Sequence, residues 1–434
     1  MSLRGKKLAI LGGTRISCEI VRAARTLGVL TAVLDYYPPE KSPAKRIADE
    51  HALISVADAE AVAGYVRKNG VDGLITGYTD SILGMYADAC EASGLPCYGT
   101  RAQFETFSDK ARWKRLCREF GVPTARAYPV DELLYGGSRA ELPLLVKPAD
   151  GSGSRGVSVV REAEDLPGAV ERALSFSKEG EIVVEDYLEG PEITAFWLFT
   201  DGRREVFMVG DRVVKGVEGS PVPLPVGYAF PSAFSEAYLR DVAPRVESML
   251  ASQGVRNGMM FMQCVVRDGV PFVYDIGYRL TGSLEHHLTA AIAGYSPMDM
   301  LIRFALTGKM SDDGDVWEKV AEGRKRPCFN VSVLMRPGTI DRFEGLDEIE
   351  ASPGVAACVK AHVEGETLPP EAAGELRQIA LRILGVPMRG ESVEEAMIRV
   401  RDGVRIVSAE GGDIALPGLR TGDLERLRRG GFAR

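Results

Sequence analysis

The residues best placed to do chemistry lie between Leu144 and Val157. A run of apolar residues, Leu144-Leu145-Val146, meets Lys147, and Pro148-Ala149-Asp150 leads into Gly151-Ser152-Gly153-Ser154-Arg155-Gly156. A buried ammonium is costly unless an anion or a hydrogen-bonding group meets it. Glycines let a backbone approach a ligand and turn its N–H groups towards bound oxygens. Val157-Ser158-Val159-Val160 then reads as a second strand, because branched residues dominate it. Strand, lysine, glycine loop and strand point to a hairpin closing over phosphates, with a plain turn as the competing reading. The loop matches G-x-G-x-x-G literally, yet the dinucleotide fingerprint needs its glycines to open a helix, and a P-loop puts its lysine after them. Here Lys147 comes first and β-branched residues follow. A protein-kinase loop would need catalytic-loop and D-F-G signatures, which are absent.

Other charged residues stand at element ends. Ser108-Asp109-Lys110 starts a helix whose apolar stripe is Trp113, Leu116, Cys117 and Phe120. A lysine in a first turn opposes the helix dipole by about 0.3–1 kcal/mol, which a bound phosphate would reverse. A solvated lysine beside Asp109 is the alternative. Ile182-Val183-Val184 forms a strand running into Glu185-Asp186-Tyr187-Leu188-Glu189-Gly190-Pro191-Glu192, which by itself also fits a solvated turn. Arg212 and Lys215 precede the Pro/Gly-rich stretch Gly216–Pro231, expected to be a long loop bordering a substrate site, or else a linker. Met259–Val266 and Phe272–Ile276 form a hairpin about Asp268-Gly269. A two-residue turn there would pair Gln263 with Tyr274 and send Asp275 to the other face. Only a three-residue loop, Asp268–Val270, or an equivalent bulge puts Gln263 and Asp275 together.

These residues need a scaffold, and the flanking periodicities supply one. Leu8–Leu11 is a short buried strand ended by Gly12-Gly13, which reads equally as a ligand contact or a tight turn. Ile16, Ile20, Val21, Ala24 and Leu27 follow at helical spacing, and Val29–Asp35 is the next strand. Strands then alternate with helices as far as about residue 105, implying an open parallel sheet of the doubly wound kind. With 434 residues the chain should hold two or three domains, and 45% hydrophobic content suffices for packed cores. A net charge of −8 argues against a nucleic-acid footprint. Seven scattered cysteines fit reduced thiols in the cytoplasm; four histidines and no C-x-x-C pair argue against zinc. The apolar run after Lys7 is too short for a signal-peptide core or a membrane span.

In order and approximate spacing, Lys110, Lys147 with its glycine loop, the Glu185–Glu192 strand exit and the Asp275 hairpin resemble the ATP-grasp superfamily. The likeness covers roughly residues 5 to 310. It implies a Rossmann-like domain over 1–105, an ATP-grasp domain over 106–315 with a small lid at about 122–190, and an α+β domain over 316–434. It further implies ATP and Mg²⁺. Lys110 and Lys147 would meet the phosphates under Gly151, Ser152, Gly153, Ser154 and Gly156. Glu185, Asp186, Tyr187 and Leu188 would line the adenine hinge, and Glu192 would bond the ribose. Arg279 would meet substrate or the transferred phosphate. The family's metal ligands, two Glu and an Asn, correspond to Gln263, Asp275 and Gly277, so one Mg²⁺ on Asp275 is expected, with Gln263 contributing its carbonyl oxygen. The implied activity is that of a carboxylate–amine ligase working through an acyl phosphate. A biotin carboxylase-like use of bicarbonate and a nucleotide-binding sensor are the alternatives. Expected partners are small carboxylates and amines, with a homodimer allowed and neither nucleic acid nor membrane involved.

Overall fold

In the computed structural model, residues 2–134, 140–150, 156–216, 223–312 and 314–430 are described. Strands β1 (Lys7–Leu11), β2 (Leu30–Asp35), β3 (Glu50–Leu53) and β4 (Gly73–Ile75) form a parallel sheet in the order β3-β2-β1-β4. This is the open sheet expected from the alternating pattern. Gly12-Gly13 is its tight turn: Gly13 N–H donates to Asp35 Oδ2 at 2.7 Å, and a Cβ at Gly13 would lie 1.8 Å from Ser42 Oγ. No ligand is needed to explain that pair.

A small antiparallel sheet follows, built from β5 (Ala127–Tyr128), β6 (Leu144–Pro148), β7 (Ser158–Val160) and β8 (Ile182–Asp186), in the order β5-β8-β6-β7. The helix Leu166–Phe176 packs on it, and Leu144, Val146, Val160, Ala169, Val170 and Val184 contribute to a core of its own. We call this unit the lid. Residues 151–155 lie outside the described residues, so the expected phosphate contacts of Gly151, Ser152, Gly153 and Ser154 have no structural account. Gly156 has φ 72° and packs against Phe176 and Pro148, where a Cβ would approach within 2.7 Å.

The largest sheet is formed by β9 (Glu192–Thr200), β10 (Arg203–Lys215), β11 (Leu224–Phe230), β12 (Gly258–Arg267) and β13 (Val270–Gly277). It continues into β14 (Cys328–Leu334), then β15 (Gly338–Glu344) leaves it, and β16 (Val355–Lys360) rejoins it. After β17 (Thr367–Leu368), β18 (Ile379–Gly385) returns to it, whereas β19 (Arg405–Ser408) pairs with β15 in a separate small sheet. The order is β13-β12-β9-β10-β11-β14-β18-β16, so one sheet runs across residue 315.

The loop expected over Gly216–Pro231 is largely a strand. Leu224–Phe230 is buried on both faces, and Pro225 is accommodated because the β10 register shifts between Val213 and Val214. Residues 217–222 lie outside the described residues. The helical stretch Ser235–Ser252 contains a π turn at Tyr238–Val242. Pro244, which has no N–H to donate to Arg240, stands in the first turn of the α-helix that follows.

Candidate active site

Lys147 sits on β6 and Glu185 on β8, in register positions that share a face, since Lys147 pairs with Val183. Lys147 Nζ lies 2.7 Å from Glu185 Oε1, and Lys114 binds the other oxygen, Oε2. All three side chains are buried, Lys114 and Glu185 to 1% exposure. Burial alone would raise the Glu185 pKa, but Lys147 and Lys114 outweigh it and hold the carboxyl below its usual range. Lys110 precedes Lys114 by one helical turn, so both face the same way. Burial lowers the Lys110 pKa, and Asp275, Lys147, Asp80 and Glu185 are the charges nearest in effect.

Lys114 and Lys147 thus converge on Glu185 in a sheltered place, and Lys110 adds a third positive charge that interacts with Asp275, Lys147, Asp80 and Glu185. Such a site favours an anion. Lys114 was missed in the sequence because it falls among Trp113 and Cys117 on the apolar stripe. Its spacing from Lys110 was the available signal.

Lys114 also gives a pH signature. Burial, followed by repulsion from Lys147, pushes its pKa down to about 8. A bound triphosphate favours the charged form, so nucleotide binding near pH 8 should take up a fraction of a proton. About two units lower the lysine is already charged and uptake should vanish. Calorimetry in buffers of different ionisation enthalpy reads this directly, and Lys114→Met should abolish it.

Asp268 and Gly269 form the β12–β13 turn, with φ 51° and 77°, and Arg267 pairs with Val270. The turn therefore has two residues, not three. The register shifts between Cys264 and Gln263, so that Tyr274 is an extra residue and Gln263 faces Asp275. The shared face comes from a bulge. Tyr274 exploits its position: its hydroxyl donates to Glu192 Oε2 at 2.6 Å, and its carbonyl accepts from Lys147 Nζ at 3.5 Å.

A carboxylate and an amide oxygen side by side suit one hard divalent cation that keeps several waters. Gly277 offers no third ligand, and its place is taken. It pairs with Phe261, and a Cβ there would lie 2.2 Å from the Phe261 ring. Gly277→Asn is accordingly expected to overpack, costing roughly 1–3 kcal/mol without adding a metal ligand. Melting temperature and Mn²⁺ affinity check this; adding Phe261→Ala should relieve the strain.

Arg279 forks onto Asp80, with Nε and Nη2 each 2.7 Å from a carboxylate oxygen, and its guanidinium lies 5.1 Å above the Phe261 ring. Asp80 was not foreseen; it follows β4, at the carboxyl edge of the parallel sheet. The hinge differs in detail from expectation. Glu185 points its side chain into the lysine cluster. The N–H groups of Asp186 and Tyr187 already donate to Arg126 and Pro143 carbonyls, leaving that of Leu188 for a ligand among the described residues. Glu192 accepts from Arg212 as well as Tyr274. Arg212 is thus a buried partner of Glu192 rather than a free arm, and Lys215 Nζ donates to Gly418 O at 3.2 Å.

Register relations extend this site into a polar band. Asp275 pairs with Gln263, Gln263 with Thr194, Glu192 with Arg212, Arg212 with Tyr228, and Tyr228 with Asn330. Ser332 pairs with Arg382 two residues further along. Directly paired residues share a face, as do residues two apart, so one face of the large sheet is polar from β13 to β18. Asn330, Ser332 and Arg382 were missed, although alternation within Phe329-Asn330-Val331-Ser332-Val333 was visible. Glu19, His286 and His287 also bring ligand atoms within 4.8 Å of one another, unforeseen because Glu19 is far away in sequence. Both Glu19 oxygens are taken, by Arg22 and by His287, so the cluster closes on itself.

Residues 133–218 match the family model for the D-ala D-ala ligase C-terminus. A phosphoribosylamine–glycine ligase of Leifsonia xyli subsp. xyli is 26% identical over 383 residues, covering 82% of this chain and 86% of that one. Some other curated relatives are matched over about half of their length. Among solved structures, L-amino acid ligase from Bacillus licheniformis has a TM-score of 0.72 at 22% identity, covering 93% of this chain and 99% of that one. The biotin carboxylase domain of Hydrogenobacter thermophilus 2-oxoglutarate carboxylase, in complex with MgADP and bicarbonate, has a TM-score of 0.75 at 19% identity, covering 99% and 96%. No described helix is long and apolar enough to cross a membrane. With the lysines on the lid and its neighbouring helix, the carboxylate hairpin and the large sheet arranged as above, the chain has the ATP-grasp fold.

Proposed function

We propose that the protein is an ATP-dependent ligase joining a carboxylate to an amine. The observation that carries this reading is the convergence of Lys114 and Lys147 on Glu185, with Lys110 adding a third positive charge that interacts with Asp275, at one end of a polar sheet face. In the reaction, a carboxylate oxygen forms a bond to the γ-phosphorus as the bond to ADP breaks. The amine nitrogen then bonds the acyl carbon, the carbon–oxygen bond to phosphate breaks, and phosphate leaves with a proton from nitrogen. Lys110 and Lys147 neutralise phosphate charge, and each ammonium about 4 Å from a phosphate oxygen contributes about 4 kcal/mol at an effective dielectric of 20. Arg279, held by Asp80 and the Leu280 carbonyl, directs its remaining N–H groups to the acyl phosphate. Asp275 and Gln263 would hold Mg²⁺, which when bound offsets charge on the phosphates. Little else is required, since phosphoryl transfer rests on positioning and charge.

A nucleotide-binding sensor is the second reading, favoured by Phe261 where a metal ligand would project from position 277. The discriminating experiment is a phosphate-release screen with Mg²⁺, ATP and panels of acids and amines. ADP and phosphate released only when an acid and an amine are both present supports the ligase. Nucleotide binding without release under any pairing supports the sensor, and dependence on bicarbonate supports a carboxylase.

A further inference from the structure

Beyond the lysine cluster, the polar band ends in a group of buried atoms whose bonding is incomplete. Glu285 is 1% exposed; its Oε2 accepts from Thr281 Oγ1, while Oε1 has no partner among the described residues. Asn330 is fully buried; its Nδ2 donates to Ser283 O at 2.5 Å, while Oδ1 has no partner among the described residues. Ser283 and Thr281 hydroxyls bond each other at 2.9 Å, so Asn330, Ser283, Thr281 and Glu285 form one connected chain. Arg382 projects from the neighbouring strand and donates to Ser332 Oγ at 2.7 Å, with no carboxylate partner among the described residues. Tyr78, on the loop that also carries Asp80, has φ 71° and a buried hydroxyl without a partner among the described residues, and Glu19 and then Glu285 are the charges acting on it.

Buried polar groups are almost always bonded, so exceptions grouped together call for an explanation. Here the unpartnered atoms are acceptor oxygens, and the Arg382 guanidinium, with which Glu285 interacts electrostatically, stands on the neighbouring strand. An ammonium brings three donors and no acceptor, and a carboxylate accepts bidentately from arginine. We propose that this end of the band is the acceptor subsite and that it takes an α-amino acid. Its ammonium is held by Glu285 Oε1 and Asn330 Oδ1, and its carboxylate by Arg382. The strand order fixes the orientation: β14, which carries Asn330, lies between β18, which carries Arg382, and the nucleotide end. Adjacent strands are about 4.8 Å apart. The amino group therefore faces the nucleotide end, and the carboxylate points away from it. The molecule enters as the amine that attacks rather than as the acid that is activated. This inference rests on the ligase reading.

Binding separates the two claims, because it does not depend on turnover. The full-length protein, saturated with Mg²⁺ and adenylyl imidodiphosphate, is titrated calorimetrically with each standard amino acid. At least one is expected to bind. Its C-terminal amide should bind at least tenfold more weakly, about 1.4 kcal/mol. Arg382→Met should weaken the amino acid by the same factor and leave the amide unaffected, while Glu285→Gln should weaken both. Circular dichroism and unchanged nucleotide affinity verify that the variants are folded. Absence of binding by every amino acid overturns the subsite, as does an amide preference that survives Arg382→Met. If an amino acid binds in the expected manner yet no acid elicits phosphate release with it, the subsite stands and the ligase reading fails.

Discussion

Asp275→Asn is expected to suppress phosphate release by at least about a hundredfold, the scale on which single transition-state electrostatic contacts act. The bulge at Tyr274 brings this carboxylate opposite Gln263, and Phe261 fills the space at Gly277. Asp275 is therefore the only charged side chain among these paired positions that can hold a divalent cation. The amide keeps shape and hydrogen-bonding capacity but removes the charge, so folding should persist. Nucleotide should still bind through Lys110 and Lys147, with its dependence on Mg²⁺ weakened. Gln263→Glu should act oppositely, leaving turnover intact or tightening Mn²⁺ binding by adding a second carboxylate. Full phosphate release by Asp275→Asn would remove Asp275 from the metal site.

Lys147→Met is expected to lower both nucleotide affinity and stability. From the sequence alone, the lysine serves ATP and its loss should leave stability little changed. The ion pair with Glu185 alters that expectation. A buried carboxylate that loses a partner is costly, but Lys114 stays bonded to Glu185. The loss should be moderate, about 1–3 kcal/mol. Adding Glu185→Gln to Lys147→Met leaves the buried Lys114 ammonium without its carboxylate, so stability should fall further rather than recover. Nucleotide affinity should remain at least tenfold down, about 1.4 kcal/mol, because the ammonium is still missing. Denaturant unfolding and nucleotide calorimetry on the single and double variants decide it. Recovery of nucleotide affinity in the double variant would make Lys147 a structural residue only.

What the sequence revealed and what it hid have identifiable physical causes. Lys147 was legible because a lysine at the end of an apolar strand needs a reason, and Asp268-Gly269 because turn chemistry is local. The parallel sheet was legible from its alternating periodicities. Pairings between distant segments were not. Glu185 lies 71 residues from Lys114, and no local pattern joins them. The bulge at Tyr274 depends on Glu192 and Lys147 meeting that residue from other strands. Arg212 looked like a loop arm because the prolines and glycines after it suggested a loop. Its neighbour is instead a buried strand whose Tyr228 lies opposite it. Asn330, Ser332 and Arg382 gave the period of a strand, but the face they share with Gln263 became evident only through the sheet order.

The lid's separate core has a thermodynamic consequence. Its apolar cluster is small, and Leu144, Val146, Val160 and Val184 pack with the helix Leu166–Phe176 rather than with the large sheet. It can therefore unfold on its own, below the free energy of global unfolding, as a cooperative unit. The contacts of Glu185 with Lys114 and of Lys147 with the Tyr274 carbonyl fasten it from outside. Amide hydrogens of β6 and β8 should thus exchange together and faster than those of β9 and β12. Nucleotide, by engaging Lys147 from within the cleft, should slow the first group by far more than the second.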